Sequence, residues 1–443
     1  MARRQRKSKP MPSEAFSAHI ESLDHDGRGV AHINGKATFI EGALPGEEVT
    51  FHYLSQRKSY DEGTVSEIIN ASPDRIEPKC PHFGICGGCS LQHMDARAQI
   101  EAKQQIMLAN FKHIGAVQPE TVLEPLTAVD WGYRRKARLG CRYVAKKGSV
   151  LVGFREKRTG WLAEMGRCEV LHPAVGERIM ELRQLIAELK CYERLPQIEV
   201  AIGDEVVALV FRNMDELVAE DKARLIQFGQ QHDIHIYLQP KGPDTVHLIW
   251  PEQSQLSYRL DEFELEMLFK PTDFTQVNTD INRKMLSLAI AMLDPQPNER
   301  VLDLFCGLGN FTLPLARRAG HVVGVEGEAG LVQRGKENAA HNQISNVEFH
   351  AADLTQEPHQ HPWFGPGFDK LLIDPPRSGA FEIVKLVPAF GAKRIVYVSC
   401  NPATLARDAQ VLVEAGYQLK SAGVMDMFPH TTHVESIALF ERG

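Results

Sequence analysis

Val301-Leu302-Asp303-Leu304-Phe305-Cys306-Gly307-Leu308-Gly309-Asn310-Phe311 reads as an apolar strand, a glycine turn and the entry to a helix expected near Thr312–Arg318. Open α/β sheets bind ligands at such turns, because glycine lets the backbone pass close beneath the bound group. The next strand, His321–Val325, is followed by Glu326, 19 residues after Gly307, where a carboxylate can accept hydrogen bonds from ribose hydroxyls. Two glycines at this spacing would also suit a dinucleotide, but Thr312 stands where the third glycine of that pattern would fall. Cys306 lies inside the turn and reads as a space-filling residue.

Outward from the turn, the alternation of strand and helix continues. A helix is expected from about Asp280 to Leu293, with Asn278 or Thr279 as its N-cap. Further strands are expected at Val347–Ala351, Lys370–Ile373, Arg394–Val398, Leu419–Val424 and Ser436–Phe440. The helices between them fall near Leu331–Asn342, Phe381–Phe390 and Pro402–Glu414. Seven strands with intervening helices predict a doubly wound α/β domain.

Upstream the texture differs. Short runs such as Ala37–Ile40 and Val49–Tyr53, punctuated by Asp26-Gly27, Asn34-Gly35 and Pro45-Gly46, predict a small β-barrel of oligonucleotide-binding type. A Pro-, Gly- and Cys-rich segment over residues 71–93 and a helix from about Asp95 to Phe111 follow. Residues 131–270 read as mostly strand, interrupted by one amphipathic helix around Glu177–Lys190.

The chain has 443 residues, a formal net charge of −7 and 43% hydrophobic content, which suits a multidomain globular protein rather than a general nucleic-acid coat. No apolar run approaches the roughly 20 residues that span a bilayer, and no apolar core follows the basic tail Arg3, Arg4, Arg6, Lys7 and Lys9. A cytoplasmic location and an electrostatic arm are expected. Between Trp131 and Gly160 stand ten Lys or Arg and one acid, Glu156, interleaved with Trp131, Tyr133, Tyr143 and Phe154. That mixture suits phosphate contact with base stacking, or else a solvated strand face.

Chemistry concentrates at two strand ends. Asp374-Pro375-Pro376-Arg377 closes one strand, and Ser399-Cys400-Asn401-Pro402 closes the next. Methylating a pyrimidine at C5 needs a thiol to add at C6, a group on the ring edge and a base for the C5 proton. Cys400 can supply the thiol, Asp374 the ring-edge contact, and Glu435, opening the last strand, the base. Cys400 as packing and Glu435 as a solvated acid are the plainer alternatives. Cys80, Cys86 and Cys89, in a C-x5-C-x2-C array, suggest a metal centre with Cys168, His82, His93 or His172 as fourth ligand. Spacing alone leaves zinc and iron–sulfur open.

Asp303, Gly307, Gly309 and Glu326, with Asp353 after the third strand, resemble the S-adenosylmethionine site of class I methyltransferases. Phe274-Thr275-Gln276-Val277-Asn278, the glycine turn, the Asp374 and Cys400 motifs and His430 to Glu435 follow the order of RNA uracil-5-methyltransferases. The resemblance implies Cys400 as nucleophile, Glu435 as general base and Asp374 as uracil contact. It implies Gln276, Phe305, Asn310, Glu326, Asp353 and Asp374 at the cofactor, and Phe274 as a stacking candidate. RNA cytosine-5 methyltransferases carry a second cysteine after a proline in the Asp374 segment, and this chain has none there. The resemblance also implies a 4Fe-4S cluster on Cys80, Cys86, Cys89 and Cys168.

The N-terminal barrel is similar to the TRAM domain. Barrel, cysteine cluster and methyltransferase domain together resemble the branch of the family that acts on 23S ribosomal RNA. The division this implies is a basic tail (1–12), a TRAM barrel (13–72), a mainly β central domain with the cluster (73–97 and 132–273) and a methyltransferase domain (98–131 and 274–443). A monomer is expected, with no membrane or DNA partner. A different ribosomal or transfer RNA uridine, or a non-catalytic RNA-binding assembly factor, are the alternatives.

Overall fold

The computed structural model describes residues 12–354, 356 and 360–443, so nearly all of the basic tail lies outside the described residues. The chain forms two compact units, one comprising residues up to Ala102 with His430–Thr432, the other Lys103–Pro429 with His433–Gly443.

In the first unit, six strands from Phe16–His19 to Tyr60–Asn70 form one sheet. Burial alternates along Glu48–Gln56, which places Val49, Phe51 and Tyr53 with Ala18, Ile20, Ala31 and Ile40 in a single core. Asn34 (φ 51°) and Gly35 (φ 78°) make the two-residue turn between Gly29–Ile33 and Lys36–Glu41. Two successive positive φ values are what an Asn-Gly hairpin supplies cheaply. Glu47, fully buried, accepts from the backbone N–H of Leu44 and Ser72 and pairs with Arg75.

The second unit opens with a six-stranded sheet in the order His247–Trp250, Ile234–Leu238, Val207–Arg212, Gln197–Ile202, Lys136–Val144, Ser149–Gly153. Its parallel pair, Val207–Arg212 with Ile234–Leu238, is joined by a helix at Ala219–His232 that the sequence reading missed. That helix buries only Leu225 and Phe228 as large apolar side chains, too few to mark a period. The expected amphipathic helix is shorter than anticipated, Ile179–Ala187.

The α/β sheet carries β1 (Arg300–Leu304), β2 (His321–Glu326), β3 (Val347–Ala351), β4 (Lys370–Ile373), β5 (Arg394–Ser399), β6 (Gln418–Met425) and β7 (Glu435–Glu441). Their order is β3-β2-β1-β4-β5-β7-β6, with an eighth, two-residue strand, Thr121–Val122, added beside β6. The sequence predicts seven strands; two residues are too few to show a pattern. All pairs are parallel except those of β7, which runs against both neighbours. The strand order reverses between β1 and β4, where ligands of doubly wound sheets bind.

Asn278 caps the helix Thr279–Leu293 by accepting from the Ile281 N–H. The single helix expected at Phe381–Phe390 is two short ones, Phe381–Val384 and Val387–Phe390. Pro388 lacks the N–H that would continue the first into the second. One core runs from Val210 and Tyr237 of the first sheet, through Tyr258 and Met267, to Met285, Leu372 and Val396.

Candidate active site

The glycine turn has the geometry its sequence implies. Phe305 adopts φ 65° directly after β1, and Gly307 and Gly309 have φ 56° and 94°. A Cβ at Gly307 would meet nothing within 4 Å, so this backbone faces open space large enough to approach a ligand. Cys306 fills space as expected: it is buried, with Sγ 3.0 Å from where a Cβ on Gly324 would lie.

Glu326 closes β2 and accepts from the Gly307 and Glu328 N–H groups at 3.0 and 2.9 Å. Each carboxylate oxygen keeps a lone pair for a ribose hydroxyl. The Ala352 N–H donates to the Glu326 carbonyl, which brings exposed Asp353 to the same strand ends. Asn310 lies in the turn, but its amide is engaged: its oxygen accepts from Tyr258 and Asn282, and its nitrogen donates to Asn282. Gln276 is half-buried in the segment before the Asn278 cap.

Three acids crowd this end of the sheet. Asp303 is fully buried; one oxygen accepts from the Thr312 hydroxyl at 2.6 Å and the other has no hydrogen-bond partner among the described residues. Burial, with the charges of Asp374 and Glu326, pushes Asp303 up to about 8. Asp374 keeps some exposed surface, yet loss of water around its carboxyl and the charge of Glu326 push it up to about 7. An unpartnered buried carboxyl oxygen among acids is a site suited to a cation.

The reactive end lies one strand further on. Ser399, the last residue of β5, pairs with Ser436 of β7, so Cys400, just past β5, and Glu435, the first residue of β7, come next at the same sheet end. Glu435 is 4% exposed; burial and Asp374 push it up to about 8 against the cations of Arg377 and Lys103. Cys400 is half-buried, and burial with the charges of Glu435 and Asp374 pushes its thiol up to about 11, Arg377 opposing. The thiol is therefore held protonated until a substrate or a bound cation changes the local field.

Arg377 is brought to this end by a zipper of hydrogen bonds that the sequence did not reveal. Its carbonyl accepts from Asn401 Nδ2 at 3.1 Å, and Arg407 donates to the next carbonyl, Ser378, at 3.0 Å. Buried Asp408 accepts from the Ala380 N–H and the Tyr397 hydroxyl, each at 2.7 Å. The Arg377 guanidinium donates to His433 Nδ1. Desolvation and the charges of Arg377, Lys103 and Arg134 push His433 down to about 4, which leaves that nitrogen able to accept.

Phe274 is 67% exposed, the highest value among the exposed large hydrophobic side chains of the described residues. The basic stretch divides in two. Arg135 donates its N–H to the Val277 carbonyl and Lys136 its ammonium to Pro271, so these residues brace the segment carrying Phe274 and Gln276. Arg138, Arg142 and Arg155 instead line a groove, with Arg142 5.1 Å from the exposed Trp161 ring.

In the first unit, Cys80 and Cys86 are buried and Cys89 is half-buried around a glycine turn, with the Gly88 N–H donating to Cys86 Sγ at 3.4 Å. Cys168 is buried in the second unit. No disulfide joins any of these cysteines, and no three His, Cys, Asp or Glu side chains form a metal-holding group among the described residues.

Residues 98–443 match the family model described as tRNA (Uracil-5-)-methyltransferase, and residues 13–52 match the TRAM domain. The 23S rRNA (uracil(1939)-C(5))-methyltransferase RlmD of Methylococcus capsulatus is 56% identical over 438 residues, 98% of this chain and 99% of that protein. The protein of the same name from Hahella chejuensis is also 56% identical, over 99% of each. Among solved structures, the Pyrococcus abyssi tRNA (uracil-54, C5)-methyltransferase in complex with S-adenosyl-L-homocysteine superposes with a TM-score of 0.74 at 24% identity, over 96% of this chain and 100% of that one. That likeness is one of fold.

Proposed function

This chain belongs to the tRNA (uracil-5-)-methyltransferase family, and from that membership we propose that it methylates C5 of a uridine in 23S ribosomal RNA. Full-length relatives at 56% identity carry the name of the uracil-1939 enzyme, which supports that nucleotide as the target. The carrying observation is the Ser399–Ser436 pair, which sets Cys400 and Glu435 side by side at the end of a sheet whose glycine turn faces open space.

S-adenosyl-L-methionine is the co-substrate, and when bound it supplies an electrophilic methyl group on a cationic sulfur. The acid cluster of Asp303, Glu326 and Asp374 fits that charge, and the open face of Gly307 fits close approach of the ligand. Phe305, Glu326 and Asp353 would hold it at the strand ends with Gln276. Asn310 would contribute its backbone, since its amide is engaged within the protein.

Cys400 gives up its thiol proton to solvent as Sγ adds to C6 of the uracil, and the C5=C6 electrons move toward C5 and O4 while Asp374 holds the ring edge. C5 then takes the methyl group as the methyl–sulfur bond of the co-substrate breaks and S-adenosyl-L-homocysteine is released. The Glu435 carboxylate removes the C5 proton, the C5=C6 bond re-forms, and the C6–S bond breaks to return the thiolate. Phe274 offers a stacking face, and the groove of Arg138, Arg142 and Arg155 offers phosphate contacts. An enzyme of ribosomal RNA works where ribosomes are built, which supports the cytoplasmic expectation.

The four-domain division expected from the sequence, the monomeric state, and a 4Fe-4S cluster on Cys80, Cys86, Cys89 and Cys168 belong to the same proposal. The cluster rests on donor chemistry: closely spaced thiols on a glycine turn and an N–H directed at Cys86 sulfur. Its role is to brace the RNA-binding part, since methyl transfer needs no electron.

The test uses 5-fluorouracil-substituted 23S RNA with cofactor. Fluorine at C5 cannot leave as a proton, so a denaturant-resistant protein–RNA adduct is expected, and Cys400→Ala should abolish it. No adduct, or an adduct with transfer RNA in preference to 23S RNA, overturns the reading.

A further inference from the structure

Lys103 is among the largest fully buried side chains of the protein, a position lysine almost never takes without a partner. Its ammonium donates to Asp426 Oδ1 at 2.7 Å and to the Phe428 carbonyl at 3.0 Å. Both side chains are dry, at 2% and 7% exposure. Asp426 immediately follows β6, whose last residue, Met425, pairs with Glu435. The loop from Asp426 therefore leads into the candidate base, and Lys103 ties it at two points. The Asp426 N–H also donates to the Leu126 carbonyl, and the Tyr133 hydroxyl to the Pro429 carbonyl.

A buried ion pair of this kind adds little to stability against a hydrophobic replacement, so its presence calls for another use. We propose that Lys103 is a positioning residue for Glu435: it anchors the loop that presents this carboxyl and sets a buried cation beside it, favouring the ionised base that removes the C5 proton. The inference rests on the reading of Glu435 as that base.

The groups facing Glu435 are Asp374, which disfavours its ionisation, and Arg377 and Lys103, which favour it. Cys400 stands directly after the neighbouring strand β5, and Lys103 in turn faces Asp426 and Glu435. Arg377 is exposed to solvent and already donates to His433. Arg377 has the larger effect of the two, but Lys103 is the cation withdrawn from water, where a charge is screened less than at the surface, even though burial pushes its own ammonium down. The step it serves is elimination: the proton passes from C5 to Glu435, the C5=C6 bond forms and Cys400 leaves.

The test compares wild type, Lys103→Met and the double variant Lys103→Met/Asp426→Asn on unsubstituted 23S RNA with S-adenosylmethionine. Denaturing gels measure the adduct standing at steady state, and methyl transfer is followed against pH. Both variants should accumulate adduct severalfold over wild type near neutral pH. Their half-maximal turnover should move upward by about half a pH unit or more, as loss of a nearby cation requires. The double variant removes both buried charges, so it should fold even if the single one does not.

A variant with reduced turnover at every pH, an unmoved profile and no adduct would assign the pair to folding alone and overturn the inference. So would failure of both variants to fold. Failure of the functional reading is distinguishable, because wild type itself would then form no adduct with the 5-fluorouracil RNA.

Discussion

Cys400 directly follows β5 and Glu435 opens the antiparallel β7, each one step beyond the Ser399–Ser436 pair. The two groups are close enough for the Glu435 charge to act on the Cys400 thiol. The proposed nucleophile and the proposed base, separated by 35 positions in the chain, are thus brought to the same end of the sheet. Each can be removed separately, with different outcomes.

Cys400→Ala should leave no covalent complex and lower methylation by at least about a thousandfold, since the whole addition route is lost. Radiolabelled methyl transfer to 23S RNA measures it. Retained activity would remove Cys400 from the chemistry.

Glu435→Gln should do the reverse with respect to the adduct. Addition and methyl transfer proceed, elimination stalls, and a denaturant-resistant complex accumulates on natural RNA. A gel lane no heavier than wild type would assign the base elsewhere.

The acid cluster should make the ligand-free protein lose stability as pH rises. Asp303 and Glu435 stand at about 8 and Asp374 at about 7 in the folded chain, against ordinary values of 3.8 for Asp and 4.5 for Glu. Between those limits these three groups bind more protons in the folded state than in the unfolded one, so their contribution to stability falls from about pH 4 to pH 8. Asp303→Asn keeps an acceptor for Thr312 and should raise the melting temperature at pH 8 by a few degrees, with little gain at pH 5. Weaker cofactor binding should accompany it. Melting curves at the two pH values decide.

Phe274→Ala should leave the melting temperature unchanged, because an exposed side chain contributes little to folding. RNA affinity should drop by about 1–3 kcal/mol, the usual worth of one stacked base. Equal binding by mutant and wild type would end its stacking role.

Cys80→Ser tests the cluster. Anaerobically purified wild type should contain iron and acid-labile sulfide and absorb in the visible, and the variant should lose them. A colourless wild type containing zinc would replace the assignment with a zinc site.

Much of this was legible locally. The glycine turn at Gly307, the Asn34-Gly35 hairpin and the Asn278 cap are short-range devices, each set by the conformations a few residues allow. Cys400 and Asp374 could be named because strand ends in parallel sheets face the ligand. The helix Ala219–His232 and the strand Thr121–Val122 were not legible, because one buries few apolar side chains and the other is two residues long.

Sequence by itself determined the type of most elements of the α/β domain, the glycine turn and the inventory of thiol, acids and cations, because these follow from residue chemistry and near-neighbour sterics. Only the tertiary structure decided that β7 inserts against β5 and brings Glu435 to the sheet end of Cys400, that the Asn310 amide is already engaged, and that Lys103 is buried under the loop leading to Glu435. Strand order and burial depend on contacts between residues far apart in the chain, and no local pattern encodes which distant partner a strand end or a lysine will meet.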